Sequence, residues 1–311
     1  MKNFSLIGAA GYIAPRHFQA IKNCNGRLIS AYDPTDSVGI LDSVTLGAKF
    51  FKNFEQYHYF NKYESDEKVD YVSVCSPNYL HKSHIAHSLN LGADVICEKP
   101  LVLTLKELDE IEKCENSFEK NVYTILQLRL HEQIIALKNQ IDSTNDSERY
   151  EIDLCYITSR GPWYSSTWKN NDALSGGLAT NIGIHFFDML TWIFGKSQKN
   201  ELHVATPTFQ GGYLELERAN VRWVLSIDSA NLPEACKARS IPTFRSIKIG
   251  DKEVEFSGGF ADLHKKAYHE ILKGNGFRAS ENREALGIVE NIRNTQPTGR
   301  RSYSHDLIQG M

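Results

Sequence analysis

Phe4-Ser5-Leu6-Ile7 runs straight into Gly8-Ala9-Ala10-Gly11-Tyr12-Ile13-Ala14, after which Ile13, His17, Phe18 and Ile21 recur at helical spacing until Asn25-Gly26. A short apolar run, a turn of small residues and an amphipathic segment predict a strand–turn–helix unit. Small residues at such a turn let a pyrophosphate approach the backbone and meet free N–H groups at a helix N-terminus, where the macrodipole favours anions. The spacing is GxxGxxA and not GxGxxG, so the turn alone also reads as a tight strand-to-helix connection. Asp33 adds weight. It ends the next strand, Leu28–Tyr32, about 25 residues after Gly8, near the ~20-residue separation at which a carboxylate reaches a dinucleotide ribose. A carboxylate there repels a 2′-phosphate, and no Arg follows directly, so the expected cofactor is NAD in preference to NADP. Asp36 is a second ribose candidate or a solvated turn residue. Gly8, Gly11, Tyr12, Ile13, Asp33 and Asp36 thus form the first part of an expected cofactor site.

Outward from this unit the alternation continues. Val69–Cys75 reads as an inner strand closed by Ser76-Pro77-Asn78, and a helix from about Tyr79 carries Ile85 and Leu89 before Gly92. Asp94–Cys97 begins another strand, Thr104-Leu105-Lys106-Glu107 has capping-box form, and Val122–Leu128 is a further strand. Strands alternating with helical segments predict a parallel sheet with crossover helices over residues 1–126. Beyond residue 127 the period changes to two. Ile152, Leu154 and Tyr156 alternate with Asp153 and Cys155, as Val221, Trp223, Leu225 and Ile227 do with Arg222, Val224 and Ser226. Residues 127–311 are therefore expected to form a second α/β domain around a largely antiparallel sheet with one covered face. Gly250-Asp251 reads as its hairpin turn, Ile182–Ile193 and Asp262–Leu272 as helices, and Thr295–Met311 as a surface extension.

Composition bounds the function. The chain has 311 residues, 41% of them hydrophobic, and 35 basic against 38 acidic residues give a net charge of −3. Such a balance offers no excess charge for nucleic acid or an anionic membrane surface, so a small-molecule partner is expected. No apolar stretch approaches the roughly 20 residues of a membrane span. Met1–Gly8 passes from one Lys into a strand-like run with no core of signal-peptide length, which predicts a cytoplasmic protein. Cys24, Cys75, Cys97, Cys114, Cys155 and Cys236 are scattered without a CxxC pair, so neither a zinc site nor a disulfide framework is expected.

Further polar residues gather at strand ends. Ser76, Asn78 and His81 follow a parallel strand at the edge where doubly wound sheets bind ligands, so Asn78 and His81 are candidates for cofactor ribose or phosphate, or else cap and helix-face residues. Glu98-Lys99-Pro100, a charged pair directly before proline at a strand end, is a poor core sequence. A cis Lys99–Pro100 bond is one way to turn Lys99 into a cleft. In Ser175-Gly176-Gly177-Leu178-Ala179-Thr180-Asn181-Ile182-Gly183-Ile184-His185-Phe186-Phe187-Asp188, the residues Asn181, His185 and Asp188 fall at i, i+4 and i+7 of an otherwise apolar helix. A polar stripe of this kind faces a cleft, with Asp188 equally readable as structural. Arg160-Gly161-Pro162-Trp163-Tyr164 and Trp168-Lys169 form an aromatic and basic loop able to stack a base and pair with phosphate, or to pack a domain. Arg245 is a further candidate for nucleotide-sugar contact, and Arg129 and His131 either touch substrate or cap the sheet.

Together, Gly8–Ala14 with Arg16-His17, Ser-Pro-Asn-x-x-His at 76–81, Glu-Lys-Pro at 98–100 and Gly-Gly…Gly-x-His-x-x-Asp at 176–188 resemble the Gfo/Idh/MocA family of nicotinamide-dependent sugar and polyol oxidoreductases. The wording of Ile7–His17, Ala31–Ile40, Thr158–Tyr164 and Ala179–His185 resembles more narrowly that family's UDP-N-acetylglucosaminuronate 3-dehydrogenases, which make a 3-keto sugar for bacterial surface polysaccharide such as lipopolysaccharide O-antigen. The resemblance implies an N-terminal Rossmann doubly wound parallel sheet and a C-terminal α/β domain with an open, mostly antiparallel sheet. It further implies NAD, a UDP-sugar substrate and a homotetramer or homodimer. By motif position it assigns Lys99 and His185 to the reacting hydroxyl. Ser76, Asn78, His81, Glu98 and Lys99 complete the expected cofactor site, and Arg160, Trp163, Tyr164, Lys169, Thr180, Asn181 and His185 make up the expected substrate site.

Many family members have an acid where this chain has Asn181. An amide can donate a hydrogen bond to an anionic sugar that a buried carboxylate would repel, which fits a uronic acid. His185, neutral near pH 7, is the first candidate for general base, with a neutral Lys99 the alternative. The competing expectations are a dehydrogenase of another sugar or inositol and, from a different class, a non-catalytic NAD-binding regulator.

Overall fold

The computed structural model of the protein describes residues 1–36, 38–42, 47–144, 148–255 and 262–310. The chain divides into two compact units, Met1–Gln127 with Ala261–Arg283 and Leu128–Phe260 with Glu284–Met311.

In the first unit, β1 (Asn3–Ile7), β2 (Arg27–Tyr32), β3 (Lys49–Phe51), β4 (Tyr71–Val74), β5 (Asp94–Cys97) and β6 (Val122–Thr124) form a six-stranded sheet in the order β3-β2-β1-β4-β5-β6. Every pairing is parallel. This is the doubly wound dinucleotide-binding order, whose strand order reverses between β1 and β4. Central strands covered on both faces explain why Phe4, Leu6, Ile7, Val72 and Val74 are all buried. The helix Ala14–Asn23 buries His17, Phe18, Ala20 and Ile21 on the expected face. Thr104 caps Leu105–Phe118 as expected, accepting from the Glu107 N–H at 3.1 Å, while Glu107 reaches back to the Leu103 N–H at 2.9 Å. The run Val122–Leu128 shortens to β6, because Gln127–Leu130 turns into a 3₁₀ segment. Helix Leu263–Leu272 belongs to this unit and packs on Ala14–Asn23.

The second unit is built on a six-stranded sheet ordered β12-β11-β7-β10-β9-β8. Its strands are β7 (Tyr150–Thr158), β8 (Ser197–Ala205), β9 (Phe209–Leu216), β10 (Ala219–Ser226), β11 (Thr243–Ile249) and β12 (Lys252–Glu255). All neighbours are antiparallel except β7 and β10. Their register sets Val221, Trp223 and Leu225 opposite Ile152, Leu154 and Tyr156, so the two alternating runs share one buried face. Helix Ile184–Phe194 covers it, with the Phe187 ring edge-on to Trp223 at 5.4 Å. The β11–β12 hairpin turns at Gly250, whose φ of +57° suits glycine.

The tail corrects its expectation as a surface extension. Thr298 and Gly299 N–H groups bond the carbonyls of Leu202 and His203 at 2.8 and 3.1 Å, and Ser304, His305 and Ile308 are buried. Ile308 joins Cys155, Ile157, Phe209, Val224 and Leu232 in a cluster on the other face of the sheet. Ile308, on the short helix Asp306–Gln309, thus adds an apolar anchor to the backbone bonds that hold the segment down.

Candidate active site

In the first unit the site begins at the β1 turn. Gly8 has φ +92°, and a Cβ there would lie 2.6 Å from the Cys75 carbonyl carbon and the Ser76 nitrogen, so only glycine lets this turn pass so close to the end of β4. The carboxylate of Asp33 braces the turn: Oδ2 accepts the Ala10 N–H at 2.9 Å and Oδ1 the Thr35 N–H at 2.8 Å. Each oxygen retains acceptor capacity for a ribose hydroxyl. Gly11 donates to the Gly8 carbonyl at 3.1 Å, Ile13 precedes the first helical turn, and Tyr12 and Asp36 are exposed.

The loops after β4 and β5 lie beside this turn and are knitted together. Ser76 Oγ bonds His84 Nδ1 at 2.8 Å, and Asn78, itself buried, opens a 3₁₀ turn. His81 places Nδ1 2.7 Å from the Pro100 carbonyl and Nε2 2.8 Å from the Ser76 carbonyl. Both partners only accept, so satisfying both calls for the doubly protonated ring. Burial, the largest influence, pushes the His81 pKa down, opposed by those carbonyls and the Glu98 carboxylate.

The Lys99–Pro100 bond is cis, and Lys99 is half-buried. Glu98 is buried; its Oε1 accepts from His17 Nε2 at 3.0 Å and His264 Nε2 at 2.8 Å, and its Oε2 from the Lys99 N–H at 3.2 Å. Burial raises the Glu98 pKa, but the two imidazole donors outweigh it and hold the carboxyl well below its usual range. His84, His264 and Tyr268 were not singled out from sequence, since nothing local marks their partners.

In the second unit, Gly176 and Gly177 both have positive φ, and a Cβ on Gly176 would strike Thr180. Ala179–Gly183 then forms a π-helical turn leading into Ile184–Phe194, a geometry common at functional sites. Gln210 pins it by accepting the Ala179 N–H at 3.1 Å. Thr180 is fully buried, and its hydroxyl makes no hydrogen bond among the described residues. Asn181 donates Nδ2–H to the Tyr164 oxygen at 2.8 Å, which ties the π-turn to the aromatic loop. His185, also buried, lies between the Phe186 ring at 4.4 Å and the edge-on Tyr156 ring at 5.9 Å. The Arg245 guanidinium also lies over Tyr156, 5.3 Å from the ring centre. Asp188 takes the structural option: it forms a two-point buried ion pair with Arg129. His131 is the buried N-cap residue of Glu132–Asp142, its carbonyl accepting the Ile135 N–H at 2.9 Å.

Within the loop, Arg160 and Trp163 are exposed and Tyr164 is buried. The Lys169 ammonium lies 5.3 Å from the Trp163 ring centre and 5.8 Å from that of Trp168. Burial, with the charge of Arg160, lowers the Lys169 pKa. Tyr164 and Lys169 line a cavity of about 370 Å³ together with Asn170, Asp172, Thr206 and Gln210, polar residues that sequence alone did not connect.

Residues 2–125 match the family model described as "Oxidoreductase family, NAD-binding Rossmann fold", and residues 148–239 that described as "Oxidoreductase family, C-terminal alpha/beta domain". The chain belongs to the Gfo/Idh/MocA family. Its first unit is accordingly an NAD-binding Rossmann domain, and the close backbone approach at Gly8 and the braced Asp33 fit that cofactor. Among Gfo/Idh/MocA structures, the WlbA (WbpB) dehydrogenase from Thermus thermophilus, solved with NAD and UDP-GlcNAcA, is 43% identical with a TM-score of 0.95, over 99% of this chain and 100% of that one. The same enzyme has been solved with NAD and alpha-ketoglutarate. WlbA from Bordetella pertussis, at 17% identity and a TM-score of 0.77 over 94% of each chain, shares the fold. Among curated proteins, glucose-6-phosphate 3-dehydrogenase of Bacillus subtilis is 25% identical over 62% of this chain and 54% of its own length. Inositol 2-dehydrogenase of Rhizobium meliloti is likewise 25% identical, over 62% and 55%. The chain spans about half the length of these curated relatives. No described helix is long and apolar enough to cross a membrane.

Proposed function

We propose that the protein is an NAD-dependent dehydrogenase that oxidises the C3 hydroxyl of UDP-N-acetylglucosaminuronic acid to the 3-keto sugar, a step in bacterial surface polysaccharide synthesis. The observation that carries this reading is the end-to-end match, at 43% identity, to an enzyme crystallised with NAD and UDP-GlcNAcA. Bound NAD supplies the hydride acceptor. The protein's own task is to bind the sugar, take the hydroxyl proton and steady the developing alkoxide. His185, buried beside the Phe186 and Tyr156 rings, takes that proton. Lys99, in the ammonium form, holds and polarises the sugar hydroxyls. The Thr180 hydroxyl and the Asn181 amide are hydrogen-bonding groups of neutral charge, compatible with a uronate. Arg160, Trp163, Tyr164 and Lys169 hold the UDP portion, cations against diphosphate and aromatic rings against uracil. Gly8, Gly11, Tyr12, Ile13, Asp33, Asp36, Ser76, Asn78, His81 and Glu98 form or support the NAD site of the first unit, which takes in helix Leu263–Leu272 as well as the expected residues 1–126, and the rest of 127–311 binds substrate and assembles a homodimer or homotetramer. The described cysteines are all free, in keeping with a cytoplasmic protein.

The deciding experiment mixes purified protein, NAD and UDP-N-acetylglucosaminuronic acid and follows NADH absorbance, with and without 2-oxoglutarate. NADH formation with this sugar, and its reoxidation when the 2-oxo acid is added, is the expected result. Turnover with inositol or glucose 6-phosphate but not with the UDP-uronate would reassign the substrate. Light scattering reads the assembly.

A further inference from the structure

Glu98 stands one residue before Lys99, and its two oxygens face opposite ways in the hydrogen-bond pattern. Oε2 accepts the backbone N–H of Lys99 at 3.2 Å, while Oε1 accepts from His17 on helix Ala14–Asn23 at 3.0 Å and from His264 on helix Leu263–Leu272 at 2.8 Å. A carboxylate only accepts, so both imidazoles present Nε2–H to it. Burial lowers the His17 pKa and favours the neutral ring, whose Nδ1 is then a bare lone pair, and Tyr268, 2.7 Å away, donates its O–H there. The Tyr268 oxygen then accepts from Ser73 on β4 at 2.6 Å. Protons therefore run one way, Ser73 to Tyr268 to His17 to Glu98. His264 Nδ1 is buried and makes no hydrogen bond among the described residues. The ligand atoms of His17, Glu98 and His264 lie within 4.8 Å of one another, but the 2.8 and 3.0 Å N···O separations are those of hydrogen bonds.

We propose that His264, acting with His17 and Tyr268 through the Glu98 carboxylate, is a positioning residue that fixes the Lys99 backbone and so the reach of the Lys99 ammonium. The proposal rests on the role given to Lys99 above. A carboxylate anchored at one oxygen to two helices cannot swing, so the N–H it holds at the other oxygen is fixed as well. A carboxylate held in this way at both oxygens rigidifies the loop that carries it.

The test compares wild type with H264L, H264Q and Y268F. H264L removes the donor, and its expected effect is a fall in kcat of about 10-fold or more, with the NAD dissociation constant and the sugar KM within about 3-fold of wild type. H264Q, whose amide N–H can reach Glu98, is expected to recover at least a third of wild-type kcat. Y268F removes only the O–H and keeps the ring, so it carries the test should H264L not fold; a kcat loss of about 3-fold or more at unchanged NAD affinity is expected. Unchanged kcat in every variant, H264Q no better than H264L, or kcat and NAD affinity falling together would each overturn the proposal. So would loss of turnover on chelation that zinc restores. A readout independent of turnover is the acetylation rate of Lys99 in the NAD complex, followed by peptide mass spectrometry; at least a 3-fold change in H264L with other lysines unaffected supports the hub, and no change overturns it. Should wild type fail to oxidise the UDP-uronate, the substrate reading falls while this rate still decides the hub.

Discussion

The Arg129 guanidinium meets the Asp188 carboxylate at two points, Nε to Oδ2 at 3.0 Å and Nη2 to Oδ1 at 2.7 Å, where the side chains are 6% and 2% exposed. Trp192 lies 5.8 Å from the guanidinium carbon. Removing one partner leaves the other charge buried without its two-point counter-ion. Asp188→Ala is expected to lower unfolding stability by about 3–5 kcal/mol, measured in urea, whereas the double replacement R129M/D188L costs much less. Equal losses in single and double variants would contradict this account.

His185→Asn tests the base directly. Turnover is expected to fall about 10²–10⁴-fold while NAD affinity, read by protein fluorescence, stays within about 2-fold. Near-normal turnover would move the proton to Lys99.

Asp33→Ala should weaken NAD binding at least about 10-fold, because the proposed ribose partner and the brace on the Ala10 and Thr35 N–H groups disappear together. Asp33→Asn keeps an acceptor and removes the charge that repels a 2′-phosphate. It is expected to narrow the NAD over NADP preference, measured by titration with both dinucleotides.

Acid should loosen the first unit. Burial pushes the pKa of His84 and of His87 down to about 4, from 6.5. The unfolded chain takes up these protons near pH 6.5 and the folded chain only near pH 4, so their stabilisation is complete above about pH 6.5 and drains away as the pH falls to 4. For His84 the full span is about 3 kcal/mol. His87→Gln is expected to flatten the fall in Tm between pH 6.5 and 4.5; an unchanged slope would assign the acid sensitivity to other groups.

Sequence disclosed the first unit well because parallel strands covered on both faces leave largely apolar runs such as Tyr71–Val74, buried throughout. The edge strand β3 escaped, being three residues long and half-exposed. Period-two spacing identified the shared face of β7 and β10, but their parallel pairing is a matter of topology that no local pattern encodes. At the site, Asn181, His185 and Asp188 were visible as a stripe, yet only the fold divides them: Asn181 turns to Tyr164 and Asp188 to Arg129. His17 and Tyr268 are 251 positions apart, and a contact of that span leaves no trace in spacing.

That span bears on biosynthesis. Helix Leu263–Leu272 is translated after almost all of the second unit, so a nascent chain cannot complete its dinucleotide-binding layer when that layer first leaves the ribosome. Until then Phe4, which the finished protein sets 6.0 Å from the Tyr268 ring, lacks that aromatic cover, and expression of residues 1–127 alone would yield a fragment with the same bare flank.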